Sequence, residues 1–275
     1  MEPETINQKK QAIIDRFGPW TNHNICLGGS LYTIGDRTVG SEVKVQRFLQ
    51  IIADITQQPF SELRVLDLAC LEGLYGLELA LQGATVVGIE GREANLAKAR
   101  FTQEVLALDN IEFVQDDVRN LSRDKYGEFD VVLCLGIFYH LDVPDVFEFA
   151  ENIHGVCQNL AIIDTHVSRS SESEYSYKGQ AYRGSPYTED ETAWASIGNP
   201  ESVWLTRPSL YNLLVDVGFT SVYECHQPIV PKFERMRNRQ EADRATFVAI
   251  KNHPVRLKST PLLDNRAFDR FEEMR

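Results

Sequence analysis

Four segments of the chain place acidic or glycine residues where a short apolar run stops, and each could grip a polar ligand. In VLDLACLEG (65–73), Asp67 ends such a run and Ala69, Cys70 and Leu71 form a tight connection. Gly73 then opens a helical pattern at a point where the backbone must make room for a ligand. In VVGIEGRE (86–93), Glu90 closes the next run ahead of Gly91. An acidic side chain there can accept from both hydroxyls of a ribose. FVQDDVRNL (113–121) offers Asp116 and Asp117 before Val118, and FDVVLCLGIFYHL (129–141) brings Leu135 and Gly136 ahead of Tyr139 and His140. Taken singly, each has a plain structural reading as a loop cap, a surface carboxylate or a turn residue. Together, in order and each at the end of a run, they point to one nucleoside-sized site.

Proton chemistry has separate candidates. His140 stands as either a general base or a structural residue capping the next helix. Asp164 and His166, in LAIIDTH (160–166), share one face of a strand and form either an acid/base pair or a polar wall. These three residues lack metal-ligand spacing, so no metal site is predicted. Upstream, Trp20 and Tyr32 lie in the glycine-rich stretch 18–36. They either shield a cationic ligand through their ring faces or pack in the core.

The elements that must carry these residues follow from periodicity. Apolar runs at 64–69, 85–90, 111–117, 129–136 and 160–166 read as strands. Helical spacing covers 4–17, 41–57, 73–82, 93–107, 143–157 and 207–218, and strands near 219–226 and 245–251 complete the set. Short apolar strands alternating with helices predict an α/β fold: a doubly wound, mostly parallel seven-stranded sheet with helices on both faces and a helical N-terminal extension. The expected organisation is an extension with a covering loop over 1–60, one domain over 61–255 and a tail over 256–275. The polar, aperiodic stretch 168–192 is expected to be a substrate-covering loop.

The segment 65–73 resembles the first motif of class I S-adenosylmethionine (SAM)-dependent methyltransferases, Asp-x-Gly-x-Gly-x-Gly, with Ala69 and Leu71 in place of two glycines. Glu90, Asp117 and the 129–141 segment fall where that family reads the ribose, the adenine amino group and the methionine portion. The resemblance implies a SAM-dependent enzyme binding its cofactor through Asp67, Ala69, Cys70, Leu71, Gly73, Glu90, Gly91, Asp116, Asp117, Val118, Leu135 and Tyr32, with His140, Asp164 and His166 as catalytic candidates. A nicotinamide-binding turn is the competing reading of the same loop. Asp67 and Glu72 argue against it, since their charge would repel a pyrophosphate and suit a cationic ligand.

A net charge of −12 disfavours broad contact with a nucleic-acid backbone, although the segment 227–275 is net basic. A small-molecule oxygen or nitrogen nucleophile is therefore the expected methyl acceptor. Two alternatives remain. GIFYHL and the glycine-poor loop also resemble the tRNA wobble-uridine methyltransferases, and KFERMRNR (232–239) could meet phosphates. A non-catalytic SAM-binding regulator fits the missing glycines. Five dispersed cysteines without a CxxC pair read as thiols, and the polar start MEPETINQKK lacks the apolar stretch of a signal peptide. With no apolar run long enough to span a bilayer, a cytoplasmic protein is expected.

Overall fold

A computed structural model describes residues 1–35, 42–189, 196–225 and 242–252. The chain opens with helix α1 (Pro3–Phe17), a short strand pair β1 (Cys26–Gly28) and β2 (Leu31–Tyr32), and helix α2 (Glu42–Thr56). Alternation then begins: β3 (Arg64–Leu68), α3 (Leu74–Leu81), β4 (Thr85–Glu90), α4 (Glu93–Leu106), β5 (Ile111–Gln115), a short α5 (Arg123–Tyr126), β6 (Phe129–Leu135), α6 (Asp145–Val156) and β7 (Cys157–Ser168). The remainder is β8 (Ser173–Tyr177), β9 (Gln180–Thr188), β10 (Glu201–Leu205), α7 (Arg207–Asp216), β11 (Ser221–Cys225) and β12 (Ala242–Ile250).

Seven strands form one sheet in the order β11-β12-β7-β6-β3-β4-β5. The pairs from β7 through β5 are parallel, and β12 enters antiparallel beside β7 and β11. The chain therefore winds outward from β3 in both directions. The adjacent carboxyl ends of β3, β4 and β6 mark the switch point where an open sheet leaves a crevice. Side chains alternate across the sheet. Leu66, Leu68, Val132 and Ile163 face α6 and α7, while Val65, Val86, Val131 and Ile162 face α2, α3 and α4. Helix α1 docks on α4 through Ile6, Trp20, Leu27 and Phe101. Among the described residues, no helix is long and apolar enough to cross a membrane.

The expected loop over 168–192 is in its described part a hairpin, and with β10 it makes a second, three-stranded antiparallel sheet. Tyr177 pairs with Gln180 across Lys178 and Gly179, both of which have positive φ (48° and 82°). That is the tight two-residue connection whose twist suits a hairpin. The sheet is held to the domain by Phe147 of α6, fully buried and 5.0 and 5.1 Å from the rings of Tyr177 and Tyr182. Tyr182 also donates to Asp216 at 2.8 Å. The expected tail, 256–275, lies outside the described residues. Phe147→Ala should lower the unfolding free energy by about 3–5 kcal/mol. Urea titration checks this, and a loss below about 1 kcal/mol would show that the hairpin is anchored elsewhere.

Candidate active site

The loop after β3 has an unusual backbone. Ala69, Leu71 and Gly73 all have positive φ (51°, 50° and 87°), so the three positions of the glycine pattern keep a glycine-like conformation although two carry side chains. Each non-glycine residue held there costs about 1–2 kcal/mol. The strain persists because neighbours determine the loop: Cys70 N donates to Ile89 O, Gly73 N to Cys70 O, and Leu71 N to Glu90 Oε2 at 3.0 Å. Packing also requires a glycine at position 73. A Cβ there would lie 3.0 Å from both Ala99 Cβ and Phe113 Cζ.

One cleft runs over the strand ends. Its wall includes Asn22, Ala69, Leu71, Glu90, Gly91, Asp116, Asp117, Val118, Leu135, Gly136, Tyr139, His140 and Arg244. Glu90 is buried at the end of β4, and its two oxygens take the N–H groups of Leu71 and Arg92, so one carboxylate joins two loops. Asp117, after β5, is held by Arg119, whose Nε lies 3.0 Å from both carboxylate oxygens. Arg119 Nη2 also donates to Ile197 O at 3.0 Å, drawing the segment 196–199 over this end of the cleft. Asp116 is turned onto Lys125, Tyr126, Asn120 and the Asp117 N–H, and despite the opposing effect of burial these bonds bring its carboxyl down to about 2. Gly136 has φ +107°, and a Cβ on it would approach Arg244 Nη2 to 3.1 Å.

Several of the expected residues lie outside the cleft wall. Asp67 is not in the cleft wall. It is buried beneath the loop and accepts from Gly76 N at 2.9 Å, which anchors the start of α3. Glu72 is not in the cleft wall either. It accepts from the N–H groups of Thr21, Asn22 and His23 and stands 3.4 Å from Lys98 Nζ. The charge argument against a dinucleotide therefore loses its basis, since neither carboxylate lines the cleft. Cys70 packs in the core, where burial raises its thiol pKa well above the usual range. Tyr32 lies on β2 away from the cleft wall, and Trp20 packs against Phe101 with ring centroids 5.6 Å apart.

The Asp164–His166 pair is not formed. Asp164 is buried among Arg244 Nε (2.6 Å), Thr246 Oγ1 (2.9 Å) and Lys44 Nζ (3.1 Å), and its carboxyl is held far below the usual range. Two of these partners come from β12, whose antiparallel register sets Thr246 opposite Asp164 and Arg244 opposite His166. Spacing within β7 put the two side chains on one face but said nothing about the strand alongside. His166 instead stacks on Trp204 (centroids 4.8 Å, 12° between planes) beside the edge of Tyr139, and burial pushes it down to about 3. No group of His, Cys, Asp and Glu among the described residues could hold a metal ion.

His140 is in the cleft wall, just beyond β6, with Nδ1 2.9 and 3.0 Å from the oxygens of Glu189. Burial lowers its pKa, which Glu189 partly offsets, so the ring is an imidazole near neutral pH. Glu189, Arg244, Arg119 and Asn22 were missed from sequence. Asn22 and Glu189 come from segments expected only to cover the cleft, and Arg244 lies at the start of the last strand, far from any motif.

Residues 65–159 match a family model described as a methyltransferase domain. With the sheet order and this cleft, that match makes the domain similar to class I, SAM-dependent methyltransferases. The chain is 36% identical over 104 residues to the ubiquinone biosynthesis O-methyltransferase of Acinetobacter baumannii (strain AYE), covering 38% of this chain and 41% of that protein. To the protein of the same name from Rickettsia prowazekii (strain Madrid E) it is 34% identical over 164 residues, 58% and 60% of the two chains. It thus spans about two fifths to three fifths of these curated relatives. Among solved structures, the N-terminal domain of EvdMO1 in the presence of SAH and D-fucose superposes with a TM-score of 0.71 at 26% identity, over 92% of this chain and 98% of that one. Magnesium protoporphyrin IX methyltransferase (ChlM) from Synechocystis PCC 6803 with bound SAM shares the fold (TM-score 0.51, 18% identity, 78% and 80% covered).

Two measurements probe the loop. Leu71→Gly should stabilise the protein by about 0.5–1 kcal/mol, the backbone strain relieved less the added freedom of the unfolded chain. A lowered melting temperature would contradict the strained loop. Burial pushes Asp67 up to about 7, opposed by the Gly76 N–H and aided by Glu90. Between about pH 4 and 7 the folded state then holds a proton that the unfolded chain has released, so this group's contribution to stability declines as pH rises. The unfolding free energy of the wild type relative to Asp67→Asn should fall across that window, and a difference independent of pH would refute the shift.

Proposed function

We propose that the chain transfers the methyl group of SAM to a hydroxyl oxygen of a small-molecule acceptor, with His140 as general base. The observation that carries this reading is that the wall of one cleft gathers Glu90, Asp117, Gly136 and His140. Glu90 offers each carboxylate oxygen to one N–H, leaving further acceptor capacity for a ribose diol. Asp117 with the Val118 N–H suits an adenine edge once Arg119 gives way. The residues present therefore fit the nucleoside. SAM supplies an electrophilic methyl group on a sulfonium.

The protein's part is alignment and proton removal. The walls at Leu135, Gly136 and Tyr139 set the line between methyl donor and acceptor, and such positioning lowers the barrier to an in-line displacement. His140, neutral near pH 7, takes the hydroxyl proton as the oxygen–carbon bond forms. The O-methyltransferase names of the relatives, and the crystallisation of the EvdMO1 domain with SAH and D-fucose, support a compact hydroxyl-bearing acceptor. On this reading residues 1–60 extend and cover a methyltransferase domain that begins near residue 61, and the protein works in the cytoplasm. The basic stretch 232–239 with Arg235, Arg237 and Arg239, on which a tRNA acceptor would rest, lies outside the described residues.

Calorimetry should show SAM and its demethylated product binding with micromolar affinity, about −8 kcal/mol, and no binding of NAD. Glu90→Ala should weaken both adenosyl ligands by about 1–3 kcal/mol. Unchanged affinity in that variant, or binding of SAM without transfer of its labelled methyl group to any small molecule in a cell extract, would overturn the proposal.

A further inference from the structure

We propose that Glu189 is a positioning residue that fixes the ring proton of His140 on Nδ1 and so leaves Nε2 as the nitrogen that accepts the substrate's proton. The inference rests on the reading of His140 as the base and adds the group that makes it one. Glu189 lies just past β9, in the segment that sequence marked only as a cover, and its side chain is 4% exposed. Both of its oxygens lie within 3.0 Å of Nδ1. A carboxylate only accepts, so Nδ1 must donate.

Glu189 is itself held from two sides. Its N–H donates to Pro200 O at 2.9 Å, and Oε2 accepts from Ser196 N at 3.3 Å. From the same arm, Asn199 Nδ2 donates to the His140 carbonyl at 3.0 Å. The ring of His140 is thus held by Glu189 and its backbone by Asn199. A wall histidine that only filled space would not require that double hold.

Among the described residues, the other charged and titratable groups facing the ring are Arg244 from β12, Arg92 before α4, His166 from β7 and the adjoining Tyr139. Arg244 and Arg92 lower the basicity of His140, and Glu189 is the group that raises it. Removing the carboxylate leaves the imidazole under two arginines, a weaker base with no fixed tautomer.

The test reads the ring itself. Two-bond proton–nitrogen correlation spectra of nitrogen-labelled protein should show His140 protonated at Nδ1 near pH 7. In Glu189→Gln the titration of His140 should move to lower pH with a mixture of tautomers, while Glu189→Asp keeps the Nδ1 proton and restores part of the shift. In parallel, methyl transfer by Glu189→Gln should lose at least about tenfold in kcat with little change in KM for SAM, and the acidic limb of its pH profile should move down. A proton on Nε2 in the wild type overturns the proposal. So does a Gln variant that keeps both the tautomer and the titration midpoint. Should that variant fail to fold, the wild-type tautomer and the Asp variant still decide. Full activity of His140→Gln would instead sink the base reading, an outcome separable from the tautomer result.

Discussion

The buried carboxylate of Glu72 joins the two halves of the site. It accepts three consecutive backbone N–H groups from residues 21–23 while standing against Lys98, whose ammonium also donates to Pro19 O. A charge this deeply placed is tolerable only when bonded and paired, so the N-terminal segment has one way to lie across the loop after β3. Asn22 reaches the cleft wall as a consequence. His23 follows: burial pushes it down to about 4, and its Nδ1 accepts from Leu74 N at the head of α3. The strained loop is closed from above by this clamp and from the side by Glu90.

Much of the architecture was legible because the strands of a parallel sheet are apolar on both faces and stop abruptly. RVLDL, TVVGIE, IEFVQ and FDVVLCL each stop at the crevice, whose wall takes Leu71, Glu90, Asp117 and Gly136 from their ends or the loops that follow, and the sheet order sets Gly136 on one side of Glu90 and Asp117 on the other. The hairpin over 173–188 escaped notice because its polar alternation, Tyr175 and Tyr177 against Tyr182 and Gly184, mimics an irregular loop, although Lys178–Gly179 marked the turn. Asp67 and Glu72 were misread for another reason. Sequence shows which residues flank a loop but not which side of it they occupy, and both turn inward.

Asp164 shows the same limit at a longer range. Its partners come from α2 and from β12, far away along the chain in both directions. The register of β12 against β7 decides that Arg244 crosses toward Gly136 and Tyr139. Nothing local to Asp164 encodes this. The result is a cationic edge to the cleft, with Asp164 as the buried anion that orients the guanidinium.

The small three-stranded sheet enters the chain after β7 and returns it at α7, touching the main domain through α6, α7 and the His140 corner. Its strands line none of the cleft wall, which the module reaches through residues 196–199. Drift within its strands and its Lys178–Gly179 turn would therefore leave the cleft wall as it is, whereas a change at residues 196–199 would alter it directly.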